Sequence, residues 1–315
     1  MADFRRYSLL YQVLLMTTIC LFVMYSMAPT ALGTSAGATA IETEQSDGDF
    51  SVRELHLMTA AVPVIMYHSL VGCDKNTLIQ PEAFEADLKY LQEQGYHSVF
   101  LTDLVKFVYE GIPLPDKPVV LTFDDGYYNN YSIGLPLLEK YGMNMVVSVI
   151  GVYSEDWSRP DVEKTEGLNE RYAHVSWTHI HDMANSGYVE IANHTWDLHK
   201  MEKGRKGCMI KYGEDKESYG RLLREDVGKL QQSLADFSGV TPVAFTYPFG
   251  HKCPEAEEVL KNMGFKVTLG VVPGINVLTE GDAMCLYELH RFNRTSNRPV
   301  QSILESLNHG GKDLK

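Results

Sequence analysis

From Val62 to Leu307 short apolar runs alternate with amphipathic stretches, a pattern that predicts a repeated strand-helix plan. Val62–Tyr67 (VPVIMY), Pro118–Phe123 (PVVLTF) and Met145–Ile150 (MVVSVI) are almost unbroken apolar runs, as strands buried on both faces require. Tyr188–Ala192, Pro242–Thr246 and Val267–Leu269 read as further strands, with His97–Leu101 and Leu286–Phe292 as shorter or terminal ones. Between them, Pro81–Gln94 carries Phe84, Leu88 and Leu91 at helical spacing with Gly95 after it. Leu104–Glu110, Gly134–Tyr141, Trp177–Ser186, Arg221–Phe237 (the longest), Pro254–Met263 and Val300–Leu307 read as helices in the same way. Strands separated by helices imply parallel pairing through right-handed crossovers. About seven such units in about 250 residues predict an α/β fold, a single distorted (β/α) barrel of TIM type, rather than two domains. The polar stretches Asp156–Arg171 and Met201–Gly220 exceed a usual βα loop and read as loops over one rim.

The N-terminal part follows no such period. Leu9–Ala28 is a mostly apolar run preceded by Arg5 and Arg6, and no charge follows until Glu42. Twenty residues at about 1.5 Å per residue reach about 30 Å, the thickness of a bilayer core. The arginines set the N-terminus in the cytoplasm and the remainder outside. The run is longer than a signal-peptide core, and Ala38-Thr39-Ala40 lies well beyond it. Residues 1–28 therefore read as a cytoplasmic tip and signal-anchor, with secretion after cleavage as the alternative. A lipoprotein signal is excluded by the bulky Ile19 before Cys20. Residues 29–61, rich in Ala, Thr, Gly and Ser and then acidic, read as a linker, which leaves 62–310 as the folded domain. The chain is expected outside the cytoplasm, on the plasma membrane.

Composition changes this picture only at its edges. At 44 % hydrophobic and 22 % charged residues, wholesale disorder is excluded. The net charge of −13 excludes a nucleic-acid partner, which demands a basic face. Of the five cysteines only Cys20 precedes the linker, and nothing in their spacing assigns a bridge or a CxxC metal knuckle.

The chemistry collects where four predicted strands end. VPVIMY runs into His68, VVLTF into Asp124-Asp125-Gly126, VEIA into Asn193-His194-Thr195 with His199 five residues on, and VAFTY into Pro248-Phe249-Gly250. In parallel α/β folds the C-terminal strand ends converge on the ligand site. An Asp-Gly pair alone is an ordinary turn. Two adjacent carboxylates, however, repel, and a nearby cation resolves the repulsion. Five residues apart, His194 and His199 stand about 140° apart on a helix, whereas a loop lets both rings turn to one point. One Asp with two His is a three-donor set that leaves positions open for water and substrate. His56, His97, His174, His179, His181, His251 and His309 read as ordinary core or surface residues.

Thr122-Phe123-Asp124-Asp125-Gly126, His194-Thr195-Trp196-Asp197-Leu198-His199 and Tyr247-Pro248-Phe249-Gly250, in this order, resemble the NodB-homology polysaccharide deacetylases (carbohydrate esterase family 4). The histidine motif is most similar to the branch that deacetylates poly-N-acetylglucosamine. The resemblance implies a distorted barrel with one divalent ion, zinc foremost (cobalt, nickel, manganese or iron are alternatives), that removes acetyl from N-acetylated glycans. By matching position, Asp125, His194 and His199 are the implied metal ligands and Asp124 the general base. The segment Tyr247, Pro248, Phe249 would meet substrate, with a backbone N–H near Phe249 in the oxyanion hole. His68 matches the general-acid histidine of that branch, with His290 of Leu289-His290 as rival. The chemistry agrees: an amide is a poor electrophile, so a metal must polarise its carbonyl and acidify water, and a histidine must protonate the leaving amine. Where the family commonly has an arginine that tunes the base, this chain has Thr246. Two other readings remain open at this point: a non-catalytic glycan-binding barrel and an O-acetyl esterase on the same scaffold.

Overall fold

The computed structural model describes residues 41–43, 52–54, 57–72, 77–160 and 171–308, in two units that divide after His56. In the first unit Ile41–Thr43 (β1) pairs antiparallel with Val52–Glu54 (β2), within the span that composition assigns to a linker. The expected signal-anchor lies outside the described residues, and among the described residues no helix is long and apolar enough to cross a membrane.

The second unit opens with Thr59–Val62 (β3) and Val64–Tyr67 (β4) on either side of Pro63. Then come helix α1 (Pro81–Glu93), β5 (His97–Ser98), α2 (Leu101–Glu110) and β6 (Pro118–Phe123). A single π-turn over Asn130–Gly134 leads into α3 (Leu135–Tyr141), β7 (Met145–Val149) and α4 (Gly151–Trp157). Next are α5 (Trp177–Asn185), β8 (Val189–Asn193) and a small hairpin of β9 (Met201–Glu202) and β10 (Arg205–Lys206). The chain ends with α6 (Lys216–Ser238), β11 (Ala244–Thr246), α7 (Pro254–Asn262), β12 (Val267–Leu269), β13 (Asn276–Thr279), β14 (Phe292–Asn293) and α8 (Val300–Asn308).

The main sheet is parallel throughout, in the order β12-β11-β8-β7-β6-β4-β14, with β5 beside the start of β6. It curls so that its two edges meet. Leu269 of β12 bridges to Leu289, with Gly270 N–H donating to Leu289 O (3.0 Å) and Leu289 N–H to Thr268 O (2.8 Å). The α/β fold expected from the repeat is present, and the distorted barrel of TIM type takes the form of a curled parallel half-barrel whose edges are laced by one bridge. The physical reason lies in residues 270–291. They form no strand-helix unit; instead β13 turns back to pair antiparallel with β3. The expected strand Leu286–Phe292 shrinks to Phe292–Asn293, because Leu286 closes a 3-10 turn.

Side-chain alternation along the strands separates two cores. Ile65, Tyr67, Leu121, Phe123, Val147 and Val149 pack outward with Phe84, Leu88 and Leu91 of α1. Their neighbours Val64, Val120, Val146, Ala192, Ala244 and Val267 face inward, against Leu101, Leu104, Phe107 and Val108 of α2, which plugs the floor. The inner face changes character along the strands. Val120 is followed by Thr122 and then Asp124, Val146 by Ser148, Ala192 by His194, and Ala244 by Thr246. Its floor is apolar and its C-terminal mouth polar.

Glu190 is the exception at the floor. Its carboxylate accepts from the backbone N–H (3.2 Å) and the hydroxyl (3.4 Å) of Thr102, at the start of α2. Burial pushes this carboxyl up from 4.5 to about 7, against the pull of those donors. The folded protein thus holds its proton where the unfolded chain has lost it. Stability is full below about 4.5 and declines as pH rises through about 7. Glu190→Gln should abolish that decline, a difference of at most about 3 kcal/mol between pH 5 and pH 8. Urea unfolding of both proteins at the two pH values measures it, and parallel curves would refute the assignment.

Candidate active site

β6 ends at Phe123, and Asp124 continues its ladder by donating its N–H to Tyr67 O (3.0 Å). The chain then reverses through Asp125, which adopts a left-handed backbone (φ 73°), and Gly126. Left-handed backbone is uncommon for residues with a Cβ, and two more cases flank the same mouth, Thr195 (φ 73°) and Phe249 (φ 57°). Such conformations persist where the surrounding structure enforces them, and they concentrate at functional sites.

The metal-ligand set expected from the sequence assembles at this mouth. His194 leaves β8 with its N–H on Val149 O (3.1 Å). Its Nδ1 lies 2.8 Å from Thr246 O, so Nδ1 carries the proton and Nε2 is left as a lone pair. His194 Nε2 lies 3.5 Å and His199 Nε2 3.3 Å from Asp125 Oδ1. The three donor atoms all fall within 4.8 Å of one another. Asp125 Oδ1 is buried without a hydrogen-bond donor. Acceptors converging on a buried point repel unless a positive charge sits among them. Burial works against protonation of His194, yet Asp125 and Asp124 outweigh it and raise its pKa. Burial, and then His194, push the His199 ring down to about 4, so it stays neutral near pH 7. Two imidazoles and a carboxylate, once deprotonated, are a donor set that fits a divalent ion.

The loop carrying the second histidine is held from below. Asp226 on α6 accepts from the N–H groups of Trp196 (2.8 Å) and Asp197 (2.9 Å). Asn193 Oδ1 accepts from Thr195 N–H (2.9 Å), which fixes the left-handed turn. The ring of Phe249, 40 % exposed, lies over His199 with centroids 4.2 Å apart. Pro248 is buried beneath it. Tyr247, included above among the residues that meet substrate, instead points its ring into the outer core with Phe245 and Phe265.

Asp124 is 4 % exposed and paired with Arg291, which is fully buried. The guanidinium grips both carboxylate oxygens, Nη1 to Oδ1 at 2.7 Å and Nη2 to Oδ2 at 2.8 Å. Its Nε donates to Gly270 O (2.6 Å) and its Nη1 also reaches Thr122 Oγ1 (3.2 Å). Burial alone would push the Asp124 carboxyl up; the charge and hydrogen bonds of Arg291 outweigh it and hold the carboxyl below the usual range. Thr246 stands where the related motif has an arginine, and Arg291 reaches the carboxylate from the other edge of the sheet. The sequence marked it only as the charged residue directly after Leu289-His290.

His68 follows β4, half-buried, with Nδ1 buried and no hydrogen bond made to it. Tyr67 pairs in register with Phe123, so His68 and Asp124 leave neighbouring strands side by side. Asn130 of the π-turn donates to His68 O (2.9 Å), and Asn129 to Ser69 Oγ (2.9 Å), so the segment is anchored. His290 is exposed, packs its ring on Gly274 and donates its N–H to Asn276 Oδ1 (2.8 Å). The side chain that enters the site from this segment is that of the next residue, Arg291.

A curled α/β sheet carries at its C-terminal mouth an Asp-His-His set that could hold a metal ion, with the Arg291-bound carboxylate of Asp124 beside it. The chain belongs to the polysaccharide deacetylase family, whose sequence model matches residues 111–268. It is 26 % identical over 220 residues to the poly-β-1,6-N-acetyl-D-glucosamine N-deacetylase of Escherichia coli K12, covering 65 % of this chain and 33 % of that protein. The chain thus spans about a third of the length of that relative. A putative polysaccharide deacetylase of Bacillus subtilis, YxkH, is 23 % identical over 252 residues, covering 80 % of this chain and 78 % of the other. Among solved structures, IcaB from Ammonifex degensii superposes with a TM-score of 0.63 at 26 % identity, covering 78 % of this chain and 96 % of that one.

Arg291→Met should cost about 3–5 kcal/mol of stability at neutral pH, because it leaves Asp124 buried and unpaired. Adding Asp124→Asn to it should restore most of that loss, as urea midpoints of the three variants would reveal. The pair's contribution is present above the ordinary carboxylate pKa of 3.8 and fades as pH falls below it. A second expectation concerns the donor set. Zinc or cobalt at a hundred times Kd should stabilise the protein by about 2.7 kcal/mol, seen as a rise in Tm. His194→Ala should lose the rise; an undiminished one would exclude this set as the binding site.

Proposed function

We propose that the chain is a metal-dependent N-deacetylase of N-acetylglucosamine polymers that works outside the cytoplasm, held at the plasma membrane by its N-terminal apolar segment. The observation that carries this reading is the juxtaposition at one mouth of Asp125, His194 and His199 with the Arg291-bound Asp124. Family membership and the named activity of the E. coli relative support the substrate class. The apolar run Leu9–Ala28 behind Arg5 and Arg6 supports the location.

Asp125, His194 and His199 hold the ion. When bound, it supplies Lewis acidity to the acetamide carbonyl and makes water more acidic. Asp124 stays ionised because Arg291 holds it so, and its remaining lone pairs take the proton of the attacking water. Both Asp124 oxygens are fixed by the guanidinium fork, so the base is oriented before substrate arrives. The left-handed turn at Phe249 brings main-chain groups of Pro248-Phe249-Gly250 to the His199 side of the mouth. Pro248 has no N–H and that of Gly250 is donated to Tyr247 O (2.9 Å), so the Phe249 N–H is the main-chain donor of this turn that would meet the developing oxyanion. The His68 ring, on a segment whose main chain is anchored through Asn130, gives the proton that the leaving amine requires. His290 packs on the rim and has no part in this scheme.

Asp124→Asn and His68→Ala should each reduce acetate release by about 10²–10⁴-fold with metal content retained, while His290→Ala stays within a few-fold of wild type. Acetate release from poly-β-1,6-N-acetylglucosamine, chitin oligomers, peptidoglycan and an O-acetylated glycan reads both substrate and bond. Full activity of Asp124→Asn would refute the mechanism, and turnover of esters alone would make the protein an O-acetyl esterase.

A further inference from the structure

His174 has no place in the scheme above, yet it is the centre of a stack of rings built onto the aspartate turn. Residues 173–175 pair with the backbone directly after Asp125: Val175 N–H donates to Gly126 O (2.9 Å) and Tyr128 N–H to Ala173 O (2.8 Å). Tyr127 and His174 are opposite each other in this antiparallel bridge. Their rings stack 5.0 Å apart at 24°. Tyr153 of α4 closes the ladder, its ring 4.5 Å from that of His174 at 40°. Helix α4 is tied to the other motif, since Gly151 N–H donates to Thr195 O (3.1 Å) and Val152 N–H to Trp196 O (2.9 Å). A Cβ at Gly151 would stand 2.4 Å from the Trp196 ring, so glycine is what allows α4 to start this close. The ladder is thus framed by the two loops that present Asp125, His194 and His199.

Its outer end is open. Tyr153 is 37 % exposed, a large apolar ring at the rim of a polar mouth. Tyr127 follows Asp125 by two residues, and α4 is bonded to the Thr195-Trp196 turn, so the ladder lies beside the donor set. Asp197 and Lys200, paired at 2.7 Å, belong to the loop that starts at that turn. A flat exposed ring beside a loop that carries a carboxylate and an ammonium matches one chemistry well. A β-linked pyranose presents axial C–H groups on its face and equatorial hydroxyls around its rim. The face lies on an aromatic ring, and the hydroxyls find donors and acceptors at the edge.

We propose that Tyr153, backed by His174 and Tyr127, is a stacking subsite for a hexosamine ring neighbouring the one whose acetyl group is removed. This rests on the glycan reading above and deepens it, because it makes the enzyme recognise a chain rather than a single sugar. Stacking the middle imidazole between two tyrosines keeps the outer ring in one orientation, so less freedom is lost when a sugar lands on it.

The test uses the full chain carrying Asp124→Asn, loaded with zinc, and titrates a β-1,6-linked N-acetylglucosamine hexamer by calorimetry. Adding Tyr153→Ala should weaken binding about tenfold, equivalent to about 1.4 kcal/mol. Tyr153→Phe, which keeps the ring, should restore affinity to within about twofold. Zinc stoichiometry and Tm should match the parent, which separates a lost contact from a damaged fold. Unchanged affinity in Tyr153→Ala would overturn the subsite, as would equal losses in the alanine and phenylalanine variants. Absence of any hexamer binding by the parent would also overturn it. Failure of the functional reading is seen separately, as absence of acetate release from the hexamer by the wild-type chain.

Discussion

The buried pair between Asp124 and Arg291 is the contact on which both the closure of the sheet and the chemistry of its mouth depend. Two charges withdrawn from water cost several kcal/mol each, and only close, saturated geometry recovers that cost. Here the fork is bidentate, and two further guanidinium hydrogens go to Gly270 O and Thr122 Oγ1. These partners come from β6 and from the segment after β12, while Arg291 itself leads into β14. A single side chain therefore joins the centre of the sheet to both of its edges. Beside it, the Leu269–Leu289 bridge is a thin seam. The same contact that draws the curl together keeps the carboxylate ionised, so fold and candidate base share one interaction.

That sharing explains the gradient along the inner face. At the floor, valines and alanines meet the plugging helix α2 and bury area without polar cost. Toward the mouth each strand ends in a group that needs a partner, and the partners come from neighbouring strands. Ser148 Oγ lies 2.7 Å from Thr246 Oγ1, Thr246 O receives the His194 ring, and Thr122 supports Arg291. The left-handed residues at Asp125, Thr195 and Phe249 sit at the end of this gradient. Their strain is tolerated because the layers below them are already fixed.

The sequence made much of this legible, for local reasons. Unbroken apolar runs located β4, β6 and β7, and helical spacing located α1, α5, α6 and α7 within a few residues. The Asp125, His194 and His199 set was visible because each residue ends a strand whose C-terminal end faces the mouth. What was hidden is non-local or short. Arg291 reaches Asp124 across 167 positions of chain, a pairing that no period encodes. Asp226 is one acid among several on a long polar helix, and only the fold turns it toward Trp196 and Asp197. Helix α4, Gly151–Trp157, had no counterpart among the expected elements and runs into the expected loop Asp156–Arg171; Gly151 is its close-approach residue. The extent of closure was hidden for a related reason. A count of strand-helix units says how many strands form, but not whether the last return becomes another unit or, as with β13, turns back on β3.

Two carboxylates face the same interior and respond to it in opposite ways, which shows why the candidate base carries a cation of its own. Glu190, at the floor, has backbone N–H groups and a hydroxyl as partners but no cation, and burial, with the Asp103 charge adding to it, drives its pKa up to about 7. Asp124, at the mouth, is desolvated too, yet its pKa moves down. Hydrogen bonds alone thus fail to keep a carboxylate ionised in this interior; a full opposite charge succeeds. A group that must accept a proton in a site from which water is excluded can remain a carboxylate only beside a fixed cation. Arg291 is suited to that task because its guanidinium stays charged at any pH the fold survives. An arginine in the conventional motif would serve equally well, which is why a threonine at position 246 is tolerated once the charge arrives from the other edge of the sheet.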